Sequence, residues 1–455
     1  MQASKTQNPK NTRKSMTNLY LKSPLYLLLR CALPNMVGAV LLSFYYIVDG
    51  IFVGKFLGAQ ALAAMGLVMP FIMMSFALSD MVAVGAGVQV SMRLGKGKIK
   101  EARIIFSTSL LVIFTIALLM SALFYFITPF LLGFVNAEES LKELSLEFSR
   151  VFLYFMPFIS LYFALDNYLR ICEKNIYSML MNVILAFVNI FLDYLFIVEF
   201  GLGLYSAALA TCIGFSLATL FGLFPFLFMP IKLKFSKVLF HFKILLNIFY
   251  NGSSEFFGNI SGSTYALFAN AILLKISGAV GIAAFSIISY IDSFVILLLM
   301  SLNEGIQPAI SFNYARKDAE RLKSLIFHTF AAAFVFCMLV FAVCMAFGDN
   351  LVQFFAKEND GSLLQLASFA LFLYAFNYLI TWFNISTSSL LTAINKPTFS
   401  LILSLSQNLL IPLAGIFALS YFWGLKGIFL TAVVAECLCV VLSIVLIKKS
   451  LKKVI

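Results

Sequence analysis

The sequence predicts an all-α membrane protein with twelve transmembrane helices. They form two six-helix lobes of parallel topology, related by a pseudo-two-fold axis. Three observations predict this. The chain is 62% hydrophobic and 11% charged over 455 residues, whereas soluble domains carry about 25% charged residues. Its apolar stretches run ~20 residues or more without alternation, which suits a helix crossing a ~30 Å hydrocarbon core and not the strands of a barrel. Segments of the first half also recur in the second at one fixed offset.

Spans are expected at 25–54, 61–91, 104–133, 149–170, 176–199 and 204–230, forming an N-lobe over 25–230. A second set at 245–274, 281–312, 324–348, 362–393, 398–420 and 427–447 forms a C-lobe over 245–447. The basic opening, 1–24 (Lys5, Lys10, Arg13, Lys14, Lys22), lacks a signal-peptide cleavage pattern and reads as a cytoplasmic arm. A basic linker, 231–244 (Lys232, Lys234, Lys237, Lys243), joins the lobes, and 448–455 is a tail. On this topology all but six of the 32 Lys and Arg lie on one side, the six being Lys55, Lys142, Arg150, Lys275, Lys357 and Lys426. The outer loop 136–147 is acidic (Glu138, Glu139, Glu143, Glu147). This positive-inside bias places both termini in the cytoplasm and the chain in the inner membrane as a multi-pass protein. The net charge of +12 is therefore topological, and nucleic acid is not an expected partner. The seven cysteines all fall in apolar spans without metal-type spacing. His241 and His328 have no partner pattern. No cofactor and no obligate protein partner are expected.

The repeat is seen first in Lys55-Phe-Leu-Gly-Ala-Gln-Ala-Leu-Ala-Ala64, which returns as Lys275-Ile-Ser-Gly-Ala-Val-Gly-Ile-Ala-Ala284. At the same offset of 220, Gly85 meets Gly305, Ser91 meets Ser311 and Asn175 meets Asn395. Six spans per repeat return the chain to its starting side, so the halves have parallel topology. Two such lobes with a cleft between them imply alternating access.

Acids inside the bilayer cost ~2.5–3.5 kcal/mol or more each, so each is a functional candidate. They are Asp49, Asp80, Asp166, Asp193, Glu255, Asp292, Glu304 and Glu436, and no Lys or Arg is expected deep in a span. Asp166 precedes Arg170 by four residues, the spacing of an intrahelical ion pair. Asp49, Asp193 and Thr211 each lie eight or nine residues from an outer turn, ~12–14 Å down a helix and at one level. Tyr45 and Asn189 precede Asp49 and Asp193 by four residues, on the same helix faces. This all-oxygen set suits Na⁺, or a proton shared between the two acids. The second half lacks it: Ala269, Leu409 and Leu413 stand at the matching positions. Glu255, Asp292 and Glu304 are candidates for substrate binding or gating, and Glu255 also for a helix cap. Glu436 has no nameable partner.

Val48-Asp-Gly-Ile-Phe-Val-Gly54, followed by Leu57-Gly58 and Ala63-Ala64, resembles the first-helix signature of MATE (multidrug and toxic compound extrusion) transporters. Asn189-x-x-x-Asp193, followed by Gly203 and Ala207-Ala-Leu-Ala-Thr211, resembles the family's helix 5–6 signature. Gly305-Ile-Gln-Pro308 with Asn313-Tyr-Ala-Arg316 resembles that of helix 8. The resemblance covers about 25 to 447 and is nearest the DinF- and MepA-like branch. It implies a coupling-cation site of Tyr45, Asp49, Asn189, Asp193, the Ala207 carbonyl and Thr211. It further implies H⁺- or Na⁺-driven antiport of amphipathic, often cationic drugs, with no enzymatic activity. The chain departs from NorM-type members in its C-lobe: Glu255 lies near the start of span 7, and span 10 carries Asn377 and Asn384 but no acid.

Two rival classes fit less well. A lipid-linked saccharide flippase of the same broad fold needs basic residues in its cavity to hold pyrophosphate. An intramembrane prenyl transferase needs clustered acids such as Asp-Asp-x-x-Asp, and none occurs.

Overall fold

The computed structural model describes residues 19–133, 139–355 and 361–451. Residues 1–18 of the arm, Glu138, Lys357 and residues 452–455 of the tail lie outside the described residues. Within them the backbone is helical, with no strand among the described residues. Helices satisfy every N–H and C=O within one segment, which is what hydrocarbon demands. The elements are α1 Pro24–Leu57, α2 Ala59–Gly95, α3 Ile99–Gly133, α4 Glu139–Ile171, α5 Asn175–Glu199 and α6 Leu204–Phe228. Then come α7 Phe242–Arg316, α8 Ala319–Phe355, α9 Gly361–Ala375, α10 Tyr378–Ala393 and α11 Pro397–Leu451. The segment between α6 and α7 is a non-helical strap on α3, where Ser236 N–H donates to Ser107 Oγ (2.9 Å) and Leu239 N–H to Thr108 Oγ1 (3.2 Å).

Among the described residues, nine helices are long and apolar enough to cross a membrane, or ten when α9 and α10, bent by 54°, count as one span. Two elements are longer than one crossing. In α11 the backbone leaves helical geometry at Gly424 (φ 55°, ψ −130°). A Cβ on Gly427 would lie 2.0 Å from the Leu419 carbonyl oxygen. Eight residues of straight helix cover ~12 Å, so the chain doubles back there. The 75 residues of α7 would reach ~112 Å if straight. Tyr265 and Asp292 would then stand ~40 Å apart, yet they are electrostatic neighbours. That element folds back between them.

The sequence repeat has a structural counterpart in the turns. After α2, Gly97 N–H donates to Leu94 O and Lys98 N–H to Arg93 O; after α7, Lys317 donates to Tyr314 O and Asp318 to Asn313 O. Each residue in the second set is the first set's number plus 220. Gly97 (φ 74°) and Lys317 (φ 61°) both take the left-handed conformation that ends a helix in this motif.

Helix contacts repeat in the same way. A Cβ on Gly85 would meet Ile248 O at 2.0 Å and Gly252 N at 3.0 Å, and one on Gly305 would meet Ala32 Cα and Cys31 O at 2.8 Å. Gly85 against Gly252 and Gly305 against Ala32 are one pair of positions displaced by 220. Small residues here let α2 press against α7, and α7 against α1.

The described hydrogen bonds between the two halves cluster at the end of the bundle that carries these basic turns. Asn35 Nδ2 donates to Ser301 O (2.6 Å) and Gln89 Nε2 to Asn395 Oδ1 (2.8 Å). Tyr20 is clasped by both halves. Its hydroxyl donates to Arg170 O (2.7 Å), while its carbonyl accepts from Asn313 Nδ2 (3.2 Å) and Arg321 Nε (3.0 Å).

Candidate functional site

The N-terminal half brings the expected acids together. Gly38 of α1 lies against Asn182 of α5, where a Cβ would come within 2.4 Å of Nδ2. Gly214 of α6 lies against Leu185 of α5, with 2.9 Å to Cδ1. These close approaches set α1, α5 and α6 side by side. Asp49 on α1 and Asp193 on α5 then face each other within hydrogen-bonding reach. Asn189 Nδ2 donates to Thr211 Oγ1 of α6 at 3.0 Å. Tyr45 lies one turn from Asp49 and stacks on Tyr46, ring centroids 4.3 Å apart. Ala207 sits one turn before Thr211 on α6. All six residues are buried.

The polar atoms here are unusually short of partners. Asp49 Oδ1, both Asp193 carboxylate oxygens, Asn189 Oδ1 and the Tyr45 hydroxyl form no hydrogen bond of good geometry. No Lys or Arg acts on either acid. Two carboxylates can share such a space only with a proton on one of them or a cation between them. The donor set, two carboxylates with amide, phenol and hydroxyl oxygens, fits H⁺ or Na⁺ chemically.

A widened helix turn follows each acid, directly after Asp193 and one turn after Asp49. Val53–Leu57 and Tyr194–Glu199 are π-helical, with Gly58 N–H reaching Val53 O at 3.1 Å and Phe200 N–H reaching Leu195 O at 3.0 Å. The two widened segments pack on each other. Such turns recur at functional sites because they shift side chains off the regular helix register.

The remaining acids are placed differently from expectation. Glu304 and Asp166 do have a fixed counter-ion: Arg170 is buried, with Nη1 2.8 Å from Glu304 Oε2 and Nη2 3.1 Å from Asp166 Oδ2. The intrahelical pair at Asp166 was legible, but the reach across to Glu304 was not. Glu255 does not cap a helix, since α7 begins thirteen residues earlier at Phe242; its acidic neighbours are Asp80 and Glu304.

Glu436 has three partners, accepting from Thr381 Oγ1 (3.0 Å), Gln407 Nε2 (2.8 Å) and Asn384 Nδ2. Ser443 Oγ in turn donates to Asn384 Oδ1 at 2.7 Å. A buried oxygen cluster therefore exists in the second half as well, at positions unrelated to the first by the repeat. Its sequence signal was Thr381 and Asn384, polar residues three apart on one face of an apolar helix.

The MatE family profile matches this chain twice, over residues 34–195 and again over 256–417. The chain belongs to the MATE family of transporters. It resembles multidrug export protein MepA of Staphylococcus saprophyticus, with 26% identity over 425 residues, 91% of this chain and 92% of the relative. MepA of Staphylococcus aureus is 24% identical over 436 residues, 94% of each chain. The same fold appears in a MATE transporter solved in complex with MaL6 (TM-score 0.91, 22% identity, covering 97% of this chain and 98% of that one). It appears again in a multidrug resistance MATE transporter of the MOP superfamily in its outward-facing conformation (TM-score 0.90, 22% identity, covering 97% of this chain and 98% of that one). As a MATE member of the MepA type, this chain is a multi-pass membrane transport protein and not an enzyme.

Proposed function

We propose that this transporter exports amphipathic, often cationic drugs and toxic organic compounds in exchange for H⁺ or Na⁺. The observation that carries the reading is the Asp49–Asp193 pair, buried face to face with no basic residue acting on either acid. A cation entering from outside occupies the cage of Tyr45, Asp49, Asn189, Asp193, the Ala207 carbonyl and Thr211. The facing carboxylates then relax toward each other, α1 and α5 repack, and substrate leaves outward. Return to the inward-open state discharges the ion. Each unit charge moved down 100 mV supplies about 2.3 kcal/mol.

In this reading twelve spans form two lobes about a pseudo-two-fold axis, in the inner membrane with both termini cytoplasmic. The paired glycine contacts and repeated turns at one offset support it. The end tied by Tyr20, Asn35 and Arg170 is the closed cytoplasmic side. The names of the staphylococcal relatives support multidrug export. A lipid-linked saccharide flippase is less favoured, because Arg170 is already engaged by two carboxylates.

The test is ethidium transport in proteoliposomes under an imposed Na⁺ or H⁺ gradient, wild type against Asp49→Asn. Uphill transport in the wild type under one gradient and its loss in the variant are expected. Normal uphill transport by Asp49→Asn would remove the proposed coupling site, and no transport by the wild type under either gradient would remove the exporter reading.

A further inference from the structure

We propose that the strap between α6 and α7 seats an anionic phospholipid from the leaflet at the basic end of the bundle. Its phosphate meets Lys234, Lys237 and Lys243, and one acyl chain lies in the cleft between α3 and the start of α7. The proposal goes beyond the exporter reading and does not depend on it.

The strap, residues 229–241, is fastened to the first half. Lys232 is buried and pairs with Glu173, and its carbonyl accepts from Arg103 Nε at 2.9 Å. Ser107 and Thr108 of α3 then hold the backbone at Ser236 and Leu239. Beyond Lys232 the character changes, and every residue from Lys234 to Lys243 is exposed.

Three features of this exposed run choose its occupant. First, its charge is unanswered. No Asp or Glu occurs between Glu199 and Glu255. Among the described residues Lys234, Lys237 and Lys243 form no ion pair, unlike Lys232. Second, bulky apolar side chains alternate with the lysines. Phe240 is 62% exposed and Phe242 78%. An acidic protein or a nucleic acid would answer the lysines and leave these rings in water. Third, the N–H groups of Lys234, Phe235, Lys237, Val238 and Phe240 form no hydrogen bond among the described residues. Hydrocarbon does not tolerate such backbone, so the run cannot lie among acyl chains alone. The headgroup boundary meets all three conditions. There aromatic rings enter the acyl region while lysines and free N–H groups meet phosphates.

The neighbouring cleft gives the lipid a fixed seat. It is lined by Ile104 and Ile105 of α3, by Ile244, Leu245 and Ile248 of α7, and by His241. The five aliphatic side chains suit an acyl chain, and His241 can donate an N–H to the phosphate. Three lysines without an acid favour a headgroup of net negative charge, because the ammonium of a zwitterionic lipid would be repelled.

The experiment is native mass spectrometry of the purified full-length protein in detergent, titrated with phosphatidylglycerol or with phosphatidylcholine of the same acyl chains. Wild type is expected to bind phosphatidylglycerol about tenfold or more tighter. Lys234→Gln/Lys237→Gln/Lys243→Gln should bring the two lipids within about twofold of each other. A control removing equal charge from the same end, Lys96→Gln/Lys448→Gln/Lys449→Gln, should keep most of the preference. Ile244→Trp, which fills the cleft and keeps every charge, should weaken phosphatidylglycerol binding roughly three- to tenfold. Equal affinity for the two lipids in wild type overturns the proposal. So does a preference that survives in the strap variant, or one lost equally in the control, since net charge and not the strap would then be responsible. Unchanged binding in Ile244→Trp also overturns it. Excess glycerol phosphate should not displace the lipid; if it does so at matching concentration, the strap takes a free phosphate and the lipid assignment is overturned.

Discussion

Arg170 of α4 reaches Glu304 of α7 with Nη1 2.8 Å from Oε2, an ion pair that joins residues 134 apart and ties the two halves of the transporter at its basic end. The same guanidinium holds Asp166 on its own helix at 3.1 Å and donates to Asn35 Oδ1 at 3.2 Å. One planar fork thus serves both halves, a geometry that Lys cannot reproduce. In the proposed cycle, opening this end breaks the Glu304 arm while Asp166 keeps Arg170 paired.

Glu304→Gln is therefore expected to loosen closure without leaving a bare buried charge. Native Cys31 gives the readout, because it is buried and its carbonyl lies against Gly305 beside the pair. Its alkylation by N-ethylmaleimide, followed by mass spectrometry, is expected to run several-fold faster in Glu304→Gln than in wild type. Equal rates would mean that the ion pair does not latch the halves.

Arg170→Met should lower stability. It strands Asp166 and Glu304 near each other with no cation. Breaking a buried pair from one side costs about 3–5 kcal/mol. Glu304 is 44% exposed, so solvent screens part of the effect and about 3 kcal/mol is expected. Thermal unfolding in detergent checks this: a clear drop in Tm for Arg170→Met, partly restored when Glu304→Gln is added. No restoration in the double variant would place the damage elsewhere.

Local spacing explains what could be read in advance. That Asp49 and Asp193 would share one level was legible because depth below a turn is a count of residues, and that Tyr45 and Asn189 would share their helix faces because four residues make one helical turn. Asp166–Arg170 was legible for the same reason. Arg170–Glu304 and Glu436 with Thr381, Asn384 and Gln407 were not, since such pairings depend on how distant helices dock. Gly424 explains the difference between expected spans and observed elements: helical backbone resumes immediately on either side, so a chain that doubles back there remains one element. The widened turns after Asp49 and Asp193 have no sequence signal, because π-helical hydrogen bonding is a response to packing.

The facing acids predict a strongly non-additive double variant. If the two acids hold one coupling cation as proposed, Asp49→Asn and Asp193→Asn each remove half of that unit, so each alone is expected to abolish uphill transport. Combining them should cost little more, as residues sharing one function do not add. Initial rates of gradient-driven ethidium transport measure this. Two partial losses that multiply in the double variant would mean the acids act separately.

The glycine contacts give a prediction about packing alone. A Cβ at Gly252 would lie 1.8 Å from Met81 O, and that obstacle is backbone, which cannot swing aside. Gly252→Ala must push α7 away from α2 at the heart of the closed end. Lower Tm and faster Cys31 alkylation are expected together. Gly66, also in a helix, has nothing within 4 Å of its missing Cβ. Gly66→Ala is thus expected to be neutral or to stabilise by up to ~1 kcal/mol, the helix-propensity difference between the two residues. The contrast separates close packing from glycine's general cost in helices. If Gly252→Ala left both Tm and Cys31 reactivity at wild-type values, α2 and α7 would not be held together by this contact, and closure would depend on Arg170 and Tyr20 instead.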